Sequence, residues 1–126
     1  MLEDDVAAFL SGNVMMIAAT RDAAMRPHIG RGCGAAFDPD VGDLTLLASS
    51  TQWPGFFANA TSGAPIAMTV CQPDNYKCLQ VKGQIVGVSQ ASEEQKARAQ
   101  RYLDTMLSIM AGLGVSRLQL STVFSN

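Results

Sequence analysis

The strongest constraint on how this chain folds is its punctuation: strand-length apolar runs recur between turn signals, most of them tight. Residues 14 to 20 read as a buried strand and Arg21-Asp22-Ala23-Ala24-Met25 as a hairpin turn. A second strand runs from about residue 27 to 37, and Asp38-Pro39-Asp40-Val41-Gly42-Asp43 turns the chain into a third, from 44 to about 50. A short helix follows from Trp53, with Pro54 in its first turn. A fourth strand covers 65 to 72, Pro73-Asp74-Asn75 turns, and a long strand spans about 76 to 89 with a bulge or bend expected at Gly83.

Helical signals frame these strands. Residues 2 to 11 place Val6, Phe9 and Leu10 on one face behind an acidic first turn. Ser92-Glu93-Glu94-Gln95 is a capping box that opens a long helix carrying Leu103, Met106, Leu107, Met110 and Leu113 at helical spacing. A last strand is expected from about 117 to 124. The fold class is therefore mainly β with flanking α. It is an antiparallel barrel of roughly six strands, with an N-terminal helix, a short helix after the third strand and a long helix before the last. Alternating βα units are missing, which argues against a Rossmann-type sheet.

Composition bounds the partners. The 126 residues suit a single domain spanning the chain, 1 to 126. With 48% hydrophobic and only 16% charged residues, apolar surface is left over, and a homodimer is the commonest way to bury it. A net charge of -2 leaves no electrostatic footprint for nucleic acid or an anionic membrane. The longest apolar run, Val14-Met15-Met16-Ile17-Ala18-Ala19, is far shorter than a membrane span. The start, Glu3-Asp4-Asp5, is unlike a signal peptide. Cys33, Cys71 and Cys78 are odd in number and form no CxxC pair, so the expectation is free thiols in a cytoplasmic protein and no metal site.

Three stretches carry candidate chemistry. In the second strand one face presents Ile29, Arg31, Cys33, Ala35 and Phe37, the other Gly30, Gly32, Gly34 and Ala36. Something must approach that bare backbone closely: a flat ligand, a partner subunit, or a helix packed over a curved barrel corner. Ser49-Ser50-Thr51-Gln52 precedes the short helix, where hydroxyls and free N–H groups either hold a phosphate or merely cap the helix. Arg31 would supply charge from the neighbouring strand. Trp53, the single tryptophan, stacks on a planar ring or fills the core. On the long strand Tyr76, Cys78, Gln80 and Lys82 share one face, toward solvent, a cleft or a partner. No catalytic triad is legible around His28.

In order and spacing these elements resemble the pyridoxamine 5'-phosphate oxidase-like, FMN-binding split-barrel superfamily over essentially the whole chain. The stretches that carry the likeness are Ala-Ala-Thr-Arg-Asp, Arg-Pro-His, the Asp-rich turn, Gly-Asp-Leu-Thr-Leu-Leu and Tyr-Lys-Cys-Leu-Gln-Val-Lys-Gly. The resemblance implies an FMN-dependent oxidoreductase with its cofactor at the homodimer interface and a small-molecule redox substrate that it does not identify. It implies a phosphate site from Arg31, Gly32, Ser49, Ser50 and Thr51, with Gln52 and Trp53 flanking and Gln80 and Lys82 reaching in from the long strand.

One departure weakens that site. Many members have a Lys or Arg at the start of the short helix, where this chain reads Gln52-Trp53-Pro54-Gly55. Losing one charged hydrogen-bonding partner costs roughly 1.5–3 kcal/mol of phosphate binding. Related barrels host deazaflavin or haem instead, and haem would need His28, the one histidine, as axial ligand. A non-enzymatic dimeric module with a vestigial cleft is the third reading.

Overall fold

The turns of this chain are built by side chains that substitute for backbone partners, and they set the order of its strands. A computed structural model describes residues 4–10, 12, 14–73 and 75–112. In chain order the elements are α1 (Asp4–Leu10), β1 (Met15–Arg21), β2 (Pro27–Asp38), β3 (Asp43–Ala48), α2 (Pro54–Ala58), β4 (Pro65–Cys71), β5 (Cys78–Gln84) and α3 (Glu93–Gly112). The Asp22 carboxylate closes the β1–β2 hairpin by accepting the N–H groups of Ala24 and Arg26, both at 2.9 Å. Asp38 does the same for Asp40 at 2.9 Å between β2 and β3. Short polar side chains bonding the backbone two residues on are what make such sequences turn.

The strands form one antiparallel sheet in the order β3-β2-β1-β4-β5, curled into a half-barrel with helices flanking it. This is the expected class: mainly β, with an N-terminal, a short and a long C-terminal helix. The sixth strand expected near the end lies outside the described residues. Among the described residues no helix is long and apolar enough to cross a membrane.

Alternation along β1 buries Met16, Ala18 and Thr20 and turns Ile17 and Ala19 away from the core. Met68 and Val70 of β4 join that core, with Leu10 from α1, Phe56 from α2, and Tyr102, Leu103 and Met106 from α3. The capping box at α3 is formed in both directions: Gln95 N–H donates to Ser92 Oγ at 3.1 Å, and Ser92 N–H to Gln95 Oε1 at 2.9 Å. The buried Tyr102 hydroxyl donates to the Val14 carbonyl and ties α3 to the start of β1.

The long strand expected over 76 to 89 is shorter than its sequence suggests, Cys78–Gln84. Its partner β4 begins at Pro65, opposite Gln84, and the backbone pairing closes one residue on, where the Ile85 N–H donates to the Ala64 carbonyl and the Gly63 N–H to that of Ile85. At its start, Tyr76 turns the chain in a left-handed conformation (φ 58). The bend expected at Gly83 is absent, since Gly83 pairs in register with Ile66. The irregularity falls in β2 instead, between Gly32 and Ala35.

Candidate functional site

The glycine face of β2 points into the core and is covered by the chain's own side chains. A Cβ at Gly30 would stand 3.0 Å from the Phe56 ring of α2. One at Gly32 would stand 2.7 Å from Leu46 and closer still to Met16. These spacings are tighter than van der Waals contact, so glycine is what lets α2 and β3 lie against the strand. At Gly30 the close approach is that of a helix, α2, through the Phe56 ring, whereas at Gly32 it is that of side chains from the neighbouring strands, Met16 and Leu46. Gly32 is thus buried, and it offers a ligand no side-chain face.

Arg31 faces the other way. It pairs with Ile17 of β1, Ile17 with Thr69 of β4, and Thr69 with Gln80 of β5, so the four residues make one row across the sheet. The next row runs Ile29, Ala19, Ala67, Lys82. Arg31, Gln80 and Lys82 therefore share the outer face, with Arg31 and Gln80 three strand spacings apart, roughly 14 Å. Between them lies exposed apolar surface: Ile17 is 41% and Ile29 56% accessible. Gln80 and Lys82 are exposed, while Leu79 and Val81, which alternate with them, turn inward. Arg31 is half-buried, with its Nη1 atom shielded from solvent.

The hydroxyl turn lies beside Arg31. Ala48, which precedes Ser49, pairs with Gly32, which follows Arg31. Ser49 Oγ accepts the Gln52 N–H at 3.2 Å, and its carbonyl accepts the Trp53 N–H at 3.1 Å, so Ser49 holds the turn together. Ser50 and Thr51 are exposed; Gln52 is half-buried. Trp53 precedes the first residue of α2 without a side-chain capping bond and packs at the margin of the core.

Sequence reasoning did not place His28 here. Its imidazole lies against the first turn of α2, where a Cβ on Gly55 would come 2.8 Å from Nδ1. Its Nε2 is 3.5 Å from Asp22 Oδ2, so haem ligation would have to displace one of these neighbours. The signal was present in Gly55 following Pro54: only a residue without a side chain lets a ring rest on the helix there.

The expectation of free thiols is corrected. Cys71 and Cys78 are register partners on β4 and β5 and form a disulfide, which leaves Cys33 as the free cysteine. Odd cysteine number and spacing could not reveal this, because a cross-strand pair is set by hairpin register. Burial pushes the Cys33 thiol above its ordinary value, and Cys33 sits 3.4 Å from the Leu47 carbonyl as a weak donor. No known protein family, curated protein or solved structure matches this chain.

Proposed function

We propose that the chain is an FMN-binding flavoprotein of the pyridoxamine 5'-phosphate oxidase-like type, a homodimeric oxidoreductase with the cofactor at the subunit interface. The observation that supports this best is the company Arg31 keeps. A cation stands beside a turn carrying three hydroxyls, at the margin of an exposed face with Ile17, Ile29, Gln80 and Lys82. A phosphomonoester needs charge and hydroxyl donors, and a planar ring system needs apolar area edged by hydrogen-bonding groups.

In this reading Arg31 and the Ser50 and Thr51 hydroxyls bind the phosphate, while Ile17 and Ile29 exclude water from the ring. The Gln80 amide and Lys82 ammonium orient the ring's polar edge. Gln80 and Lys82 stand across the sheet from the hydroxyl turn, so a second copy laid over this face would bring them to it. The flavin, when bound, supplies the electron-transfer chemistry, and the chain positions and shields it. A cytoplasmic setting belongs to the same proposal.

Titrating FMN against the purified protein tests the reading. Quenched flavin fluorescence and a raised melting temperature are expected, with Arg31→Gln weakening binding by about tenfold or more. A colourless protein that leaves FMN fluorescence unchanged rejects it.

A second reading, a dimeric module without a cofactor, has one observation in its favour. Ser49 Oγ is already engaged by its own turn, next to a helix start that lacks a cation. That module would dimerise yet gain no thermal stability from FMN, deazaflavin or haem.

A further inference from the structure

α3 crosses β2 and leaves an open cleft of about 210 Å³ between them. Its walls come from Gly34 and Ala35 of β2 and from Arg98, Arg101 and Thr105 of α3, with Tyr102 at its base. The charge in it is one-sided. Arg98 and Arg101 are three residues apart and so project from the same side of the helix. Among the described residues no carboxylate lines the cleft, although acidic residues outnumber basic ones in the chain, 11 to 9. Asp104, the nearest acid in sequence, instead accepts the Gln100 amide at 3.1 Å on an exposed part of α3.

The two guanidinium groups are prepared differently. Arg98 Nη2 donates to the Ala35 carbonyl at 2.9 Å, which holds its planar fork against the wall with further N–H groups to offer. Arg101 is exposed and is free to swing onto a ligand. The opposite wall is kept bare by Gly34, whose φ of +148° disfavours any residue with a side chain.

We propose that this cleft is an oxyanion-binding site, taking a phosphate or carboxylate group of a small molecule between Arg98 and Arg101. Arg98 is the pre-set donor and Arg101 the closing one; Thr105 supplies a hydroxyl. A bidentate guanidinium grip suits the planar spacing of both oxyanion types. The site does not depend on flavin binding.

The test uses the full chain without flavin, titrated with inorganic phosphate and, separately, with malonate, at constant ionic strength held with chloride. Backbone amide shifts of Gly34, Ala35 and Thr105 and the side-chain Nε–H signals of Arg98 and Arg101 report binding. Saturable shifts with either anion are expected, and the arm that saturates at lower concentration names the source. Arg101→Gln, at an exposed position that folding does not need, should weaken that binding by about tenfold. Neither anion saturating, or the same affinity in Arg101→Gln, overturns the proposal.

Discussion

The two edges of the sheet are held by different means. At the β3 edge the chain is bound inward: Thr20 Oγ1 donates to the Phe56 carbonyl at 2.9 Å, and Phe56, only 4% accessible, locks α2 onto β1 and β2. The hydroxyl turn hangs from that assembly through Ser49 and Trp53. At the β5 edge the strand has β4 as its neighbour and an exposed outer row of Cys78, Gln80 and Lys82. It is secured by a covalent tie at Cys71–Cys78 and by Lys77, whose ammonium lies 5.6 Å from the Phe9 ring centre. One edge is positioned by packing, the other by a staple. A group that must meet a ligand at fixed geometry is best carried by the first, and a surface that must adapt to a partner by the second.

Removing the packing should have the larger effect. Phe56→Ala should cost about 3–5 kcal/mol in urea denaturation, because it empties a core site and unseats α2. Amide exchange should then quicken through β3 and the hydroxyl turn well before β5. Equal loosening of both edges would mean that they are not independently held.

Reducing the disulfide acts on the other edge. The two cysteines are seven positions apart in sequence, and releasing a loop of that size costs about 2–3 kcal/mol. Denaturation with and without a dithiol reductant measures it. Gln80 and Lys82 amides should lose protection while those of Ser49 to Trp53 hold theirs. A reductant that changes nothing would remove the staple from this account.

The smallest effect is electrostatic and local to the β1–β2 hairpin. The Arg26 N–H bonded to Asp22 holds that carboxyl below its ordinary value of 3.8 against an opposing desolvation, with the Arg26 guanidinium, the Ala24 N–H and His28 assisting. The contribution is complete above 3.8 and is lost as pH falls through the lower folded-state value. Carbon-13 NMR should place the Asp22 titration below 3.8, and Asp22→Asn should abolish acid-induced loosening of this hairpin while leaving the β5 edge unaffected.

Turn chemistry is local, and local features were readable. Asp22, Asp38 and the Ser92–Gln95 box act on residues two to four positions away, so sequence alone placed the hairpins and the start of α3. Period-two alternation likewise put Gln80 and Lys82 on one face of their strand and Arg31 opposite the glycines. What sequence could not rank were the rival occupants of the glycine face, because a bare backbone records that something comes close without recording what.

The sequence by itself determined a turn-linked antiparallel β domain framed by helices, since hydrophobic period and turn residues act over a few positions. Only the tertiary structure decided what covers Gly30 and Gly32, where β5 stops, that Cys71 meets Cys78, and that His28 rests on α2. Those outcomes depend on which distant segments share a register or a core contact, and such pairings are settled by the packing of the whole chain.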